Sequence, residues 1–98
     1  MIDIKRLPEF DAWFDGLKDA VTKARLTARL KKVSRGSLGD VKLVGDGVWE
    51  MREFFGPGWR MYYVKYGNTI VVMLGGGDKS SQQSDIAKAI ELAKTLEI

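Results

Sequence analysis

The sequence predicts an α+β fold: two N-terminal helices packed on a mostly antiparallel sheet of four to five strands, with a further helix at the C-terminal end. Three observations carry this. Apolar residues recur at helical spacing up to about Ser34, follow strand patterns between glycine-rich turns from Val41 to Leu74, and return to helical spacing after Ser80. With 98 residues, 45% hydrophobic and 30% charged, the chain has apolar surface enough to fold and length for one core, so residues 1–98 are read as one domain.

The elements follow in order. Ile2 to Arg6 alternates apolar and polar residues, as a short edge strand does. Pro8 suits the first turn of a helix, Glu9 and Asp11 sit near its positive end, and Phe10, Trp13, Phe14 and Leu17 form one apolar face. A second helix starts near Asp19 and runs to about Ser34, where Gly36 stops it. It carries Val21, Ala24 and Ala28 on one line and Leu26, Leu30 and Val33 on another. Its outer side is basic: Lys23, Arg25, Arg29, Lys31, Lys32 and Arg35 fall within thirteen residues that contain no acid. Such a segment suits a polyanion or an acidic partner, or is a solvated helix face.

Val41 to Val44, Val48 to Phe55, Trp59 to Tyr66 and Thr69 to Leu74 read as four strands of a meander, separated by Gly45-Asp46-Gly47, Gly56-Pro57-Gly58 and Gly67-Asn68. A two-residue loop at Gly67-Asn68 would pair Tyr66 with Thr69, Tyr62 with Met73 and Arg60 with Gly75. A three-residue loop at Gly56-Pro57-Gly58 would set Phe54 opposite Arg60 and Arg52 opposite Tyr62. Glu50, Arg52, Arg60 and Tyr62 then share one face, and Trp49, Met51, Phe55, Trp59, Met61 and Tyr63 share the other, the seat expected for the helices. Ser80 and Gln83 fit a capping box for the last helix. That helix turns Ile86, Ala89, Ile90, Ala93 and Leu96 inward and leaves Asp85, Lys88, Glu91, Lys94 and Glu97 as a charged ladder.

Cysteine and histidine are both absent, which removes thiolate chemistry, the usual imidazole base and the commonest transition-metal ligand. Any catalysis must use carboxylates, lysine, arginine, tyrosine or serine, and no metal or other cofactor is expected. No run reaches the roughly 20 apolar residues of a membrane span, and Met1 to Arg6 lacks a signal-peptide apolar region, so a cytoplasmic protein without membrane contact is expected. The net charge is +3.

Gly75-Gly76-Gly77-Asp78-Lys79-Ser80 adds backbone N–H groups and a lysine beside Arg60. Arginine offers a planar fork for phosphate oxygens and lysine a mobile point charge, so Arg52, Arg60 and Lys79 can converge on one phosphate with Glu50 and Tyr62 in reach. The alternative is a surface arginine pair neutralised by Glu50 and Glu53, with a glycine bend that only joins strand to helix. A nucleotide P-loop is excluded because Asp78 precedes Lys79 and the required glycine-lysine-serine order is missing.

Gly39-Asp40-Val41-Lys42, Val48-Trp49-Glu50-Met51-Arg52, Gly56-Pro57-Gly58-Trp59-Arg60-Met61-Tyr62-Tyr63 and Leu74-Gly75-Gly76-Gly77-Asp78-Lys79-Ser80-Ser81-Gln82, with Asp85-Ile86 and Ala89 beyond them, resemble the HigB-type addiction-module killer proteins of the RelE/ParE toxin superfamily. The resemblance implies the toxin of a type II toxin–antitoxin module, with a RelE-like fold and a helix-turn-helix antitoxin of the HigA type bound in a hetero-oligomer. It further implies endoribonuclease action on messenger RNA in the ribosome. Arg52, Arg60 and Lys79 match the basic positions associated with activity in that superfamily, and Glu50 and Tyr62 are further matches. Lys23, Arg25, Arg29, Lys31, Lys32 and Arg35 are expected to meet RNA, the ribosome or the antitoxin. Some members of the superfamily inhibit DNA gyrase by protein contact, and an inactive RNA-binding remnant is a third alternative.

Overall fold

In the computed structural model, which describes residues 1–96, helices cover both faces of a five-stranded sheet. The elements run β1 (Asp3–Arg6), α1 (Pro8–Asp15), α2 (Ala20–Ser34), β2 (Val41–Gly45), β3 (Val48–Arg52), β4 (Arg60–Tyr66), β5 (Ile70–Gly77), a 3₁₀ turn (Lys79–Ser81) and α3 (Gln82–Lys94). The strand order is β1-β5-β4-β3-β2. β2 to β5 form the expected antiparallel meander, and β1 adds an edge parallel to β5.

The helix signals act as their chemistry requires. Pro8 opens α1, and Phe10 and Phe14 are buried. The Asp19 carboxylate caps α2, accepting from the Val21 N–H at 3.2 Å and the Thr22 hydroxyl at 2.8 Å. Gly36, at φ 98°, adopts the left-handed conformation that ends that helix. Of the two apolar lines on α2, Leu26, Leu30 and Val33 enter the core, while Val21 is 61% exposed.

α1 and α2 pack on Met51, Met61, Tyr63, Val71 and Met73, with Trp49, Phe55 and Trp59 around them, which is the face expected to seat helices. The other face is covered as well. Ile86, Ala89, Ile90, Ala93 and Leu96 of α3 and its end pack on Val48, Tyr62, Val64, Val72 and Leu74. A strand face this apolar in its lower half needs a cover. The charged residues of the upper half are therefore partly roofed over. In the outer ladder of α3, Lys94 and Glu91 form an exposed pair at 3.1 Å, and Glu97 lies outside the described residues.

Both hairpins differ in register from the expectation. Tyr66 pairs with Ile70 across a three-residue loop, and a bulge between Tyr62 and Tyr63 then brings Gly75 opposite Tyr62 and Gly77 opposite Arg60. Between β3 and β4 the loop has seven residues, Glu53 to Trp59, so Arg52 faces Arg60 and Glu50 faces Tyr62. That second shift is an even number of positions, which preserves the face of every side chain. Two further expectations are corrected. Gly75 to Gly77 extend β5 and are not a free loop. The Ser80–Gln83 capping box does not form. Asp78 caps the turn instead, accepting from the Ser80 N–H at 2.8 Å and the Ser80 hydroxyl at 2.5 Å, and α3 starts without a side-chain cap.

Arg29 is also reassigned. Its guanidinium donates to the carbonyls of Leu38 (2.8 Å), Asp40 (2.8 Å) and Arg52 (3.0 Å) and pairs with the Glu53 carboxylate. With 11% of its side chain exposed it is an internal clamp between α2, the approach to β2 and the end of β3. Breaking a largely buried, multiply bonded charge leaves its acceptors orphaned. Arg29→Ala is expected to lower unfolding stability by about 2–4 kcal/mol in urea titration, and Arg35→Ala, at an exposed position, to change it by about 0.5 kcal/mol or less.

Candidate functional site

At the end of the sheet where β3 leaves and β4 begins, two arginines stand directly opposite each other on one face, Arg52 across from Arg60. Like charges in that position repel. Each is held by a separate set of partners. Arg52 donates to Asp40 Oδ1 at 3.0 Å and keeps a third of its side chain in solvent, at 33% exposure. Arg60 is 6% exposed; its Nη1 donates to the carbonyls of Glu53 (2.8 Å) and Trp59 (3.0 Å), and its Nε lies 3.8 Å from Glu50 Oε1.

Lys79 comes to the same rim from the opposite side. Its N–H donates to the Pro57 carbonyl at 3.4 Å. At Gly58 (φ 80°) a Cβ would stand 3.4 Å from Lys79 Cβ and 3.7 Å from Arg60 Nη1, so the lysine stem and the guanidinium adjoin the same loop residue. The ammonium is exposed and makes no ion pair among the described residues. Phe54, in the loop between the strands, lies 5.7 Å from the guanidinium carbons of both Arg52 and Arg60. Arg52, Arg60 and Lys79 thus share one rim, with Arg52 and Lys79 outermost.

Glu50 and Tyr62 lie beneath it, fully buried between the sheet and α3. Glu50 Oε2 accepts from the Gln82 amide at 2.8 Å. Burial, reinforced by the Glu50 carboxylate, raises the Tyr62 phenol above its ordinary value, so it stays neutral. Neither group reaches solvent, which corrects the expectation that Glu50 and Tyr62 lie in reach of a phosphate at the rim. The glycines serve packing. A Cβ on Gly76 would enter the Trp13 ring, and one on Gly77 would enter the Asp85 carboxylate, itself bonded by Ser81 Oγ at 2.5 Å. Sequence reasoning missed Asp40, Gln82 and Phe54 at this site. Asp40 and Gln82 carried a signal only as members of the motifs Gly39 to Lys42 and Leu74 to Gln82, and Phe54 carried none.

The basic helix contributes unevenly. Arg25 stacks on Phe55 at 4.6 Å and, with Lys32, lines a groove of about 460 Å³ that reaches Glu53 beside the rim. Lys31 and Arg35 are exposed, and Lys23 Nζ donates to the Asp15 carbonyl at 3.4 Å. A larger concavity, about 910 Å³, lies elsewhere, between α1, β5 and α3, and is walled mainly by apolar groups such as Trp13, Leu74 and Leu92. It lacks the arginines, so the rim is the candidate site. Among the described residues no cluster of three or more carboxylates could hold a metal ion, and no helix is long and apolar enough to cross a membrane.

Two comparisons bear on this geometry. The family described as Phage derived protein Gp49-like (DUF891) matches residues 12–96. An uncharacterized protein of Haemophilus influenzae is 42% identical over 95 residues, covering 97% of this chain and 96% of the relative.

The buried phenols make the fold sensitive to alkali. Burial pushes Tyr63, on the α1–α2 face, from 10.0 up to about 12, and its hydroxyl finds no hydrogen-bond partner among the described residues. A folded-state pKa above the unfolded one contributes stability that is complete below pH 10 and declines as pH rises toward 12. Unfolding free energy is expected to fall above pH 10 by about 1.4 kcal/mol per pH unit for each such tyrosine. Tyr63→Phe, near-neutral at pH 7, removes its share of that slope, as denaturant titrations at several pH values would measure.

Proposed function

The chain belongs to the Gp49-like family of phage-derived proteins, a toxin–antitoxin-related family of RelE/HigB-like toxins, and we propose that it is a HigB-type toxin that cuts messenger RNA on the ribosome. The observation that carries this reading is the direct opposition of Arg52 and Arg60, with Lys79 beside them. Opposed cations are unfavourable in the empty protein and favourable once an anion lies between them.

The reaction is attack of a ribose 2′-hydroxyl on the adjacent phosphate, with loss of the 5′-oxygen of the next nucleotide. Negative charge grows on the phosphoryl oxygens, where Arg52 provides an exposed fork and Arg60 a fixed charge behind it. Arg60 is kept in place by two loop carbonyls and Glu50, and Glu50 by Gln82. Glu50 and Tyr62 are therefore positioning residues in this scheme. Lys79 is the most exposed of the proposed groups, and it serves the proton transfers. With no histidine in the chain, activity on free RNA is weak and the ribosome supplies the alignment of nucleophile and phosphate. Arg25, Lys31, Lys32 and Arg35 provide the longer-range attraction to RNA. An antitoxin is the expected second partner, in a hetero-oligomer.

Mapping messenger-RNA ends after brief induction tests this. Codon-aligned cuts are expected with the wild type and are expected to fall on the order of a hundredfold or more in Arg52→Ala and Lys79→Ala. These two outward-facing residues can be removed without opening the buried Glu50 region. Cuts that persist in both variants would overturn the reading, as would growth arrest with intact messages and damaged DNA, the signature of a gyrase inhibitor. A protein that causes no arrest is an inactive remnant. In a binding titration, affinity for RNA should drop linearly on a log–log salt plot, and Lys32→Ala and Arg35→Ala should each make that slope shallower. An affinity that does not respond to salt would contradict the basic-surface part of the proposal.

A further inference from the structure

Phe54 is 73% exposed, although its neighbours Phe55 and Trp59 turn inward against the α1–α2 core. A phenylalanine left in water forgoes burial worth about 1.5–3 kcal/mol. The ring belongs to neither core cluster, and the charged groups around it are the two opposed arginines, each with its guanidinium carbon 5.7 Å from the ring centroid. The backbone beneath it is fixed. The Glu53 N–H donates to the Trp59 carbonyl at 3.0 Å, the Gly58 N–H donates to the Phe55 carbonyl at 3.2 Å, and Arg60 Nη1 ties Glu53 to Trp59 from inside. Gly56 and Gly58, at φ 58° and 80°, allow this tight path.

An open aromatic face on a rigid loop, a few ångströms from two cations, has the layout of one nucleotide: a flat base joined to a charged phosphate. We infer that Phe54 is the stacking platform for one unpaired nucleobase, whose phosphate lies against Arg52 and Arg60. This rests on the reading of the rim as an RNA phosphate site. Phenylalanine has no hydrogen-bonding group, so the platform accepts any base by its π face and discriminates only through overlap area, purine over pyrimidine. It also selects strands whose bases are free to unstack, since a base inside a duplex has both faces covered. Specificity for particular bases must then come from elsewhere, either the ribosome or other side chains.

The test is a binding titration of the full chain with a short single-stranded RNA and with the same strand carrying one abasic ribose at successive positions. All phosphates are retained in the abasic series, so it isolates the base. For the wild type, one abasic position is expected to weaken binding on the order of tenfold to a hundredfold. In Phe54→Ala that penalty should disappear and intact RNA should bind as weakly as the abasic strand, while Phe54→Trp keeps both. Lys79→Ala should weaken intact and abasic strands alike. The side chain is exposed, so Phe54→Ala is expected to keep the wild-type circular dichroism spectrum and melting temperature. An abasic penalty unchanged in Phe54→Ala, or no measurable binding by the wild type, would overturn the inference. The two proposals fail separately. A Phe54-dependent abasic penalty without messenger-RNA cuts would sink the nuclease and leave the platform, and Lys79-dependent cuts with no effect of Phe54 would do the reverse.

Discussion

The arrangement of the rim depends on Glu50 and Arg60 sharing a dry space between β3, β4 and α3. A charge removed from water is unfavourable unless an opposite charge and hydrogen bonds replace its solvent. Arg60 obtains a carboxylate at 3.8 Å and two loop carbonyls, while Glu50 obtains the Gln82 amide from the first turn of α3. The pair thereby joins three elements that are far apart in sequence. It holds the start of β4 in place, pulls the Glu53–Trp59 loop back over itself, and fixes the first turn of α3, just beyond Lys79. Burial that looks wasteful for two charged residues creates a firm seat for a surface site.

Around that seat, space is shared closely. Gly76 leaves room for Trp13 from α1, and Gly77 leaves room for Asp85 from α3, so the last residues of β5 bring helices from both faces to one strand end. Asp78 then turns the chain through its bonds to Ser80 and presents Lys79 toward Gly58. Arg29 performs the corresponding task on the other side, joining α2 to the end of β3 through backbone carbonyls. A cation within a basic helix was in this case recruited inward, where it satisfies the Leu38 carbonyl and the Glu53 carboxylate and adds a second bond to the Asp40 carbonyl, which already accepts the Arg52 N–H at 3.0 Å. Arg25, Lys31, Lys32 and Arg35 stay exposed and carry no structural duty of that depth.

Much of the fold was legible locally. Pro8, Asp19 and Gly36 act at the ends of helices through bonds to residues within a turn, and the alternation in β3 and β4 sorted Met51, Met61 and Tyr63 from Glu50, Arg60 and Tyr62 correctly. The candidate site was legible in the placement of Arg52, Arg60 and Lys79 at one rim. It was not legible in its depth. Nothing in the spacing of Glu50 and Tyr62 distinguishes a solvated charged face from one covered by a helix that arrives thirty residues later, and Phe54 looked like one more apolar residue of an alternating strand.

What the sequence by itself determined is therefore the set of elements, the face each strand residue takes, and the chemistry available without histidine or cysteine, because helical and strand periods and end caps are short-range properties of the chain. Only the tertiary structure decided which residues stand opposite one another. Loop length and the bulge in β5 set the register, and both respond to contacts outside the hairpin: Arg60 gripping the loop carbonyls, Trp13 filling the space above Gly76, and α3 closing over Glu50. The opposition of Arg52 to Arg60, on which the proposed anion site rests, arises from that long-range balance.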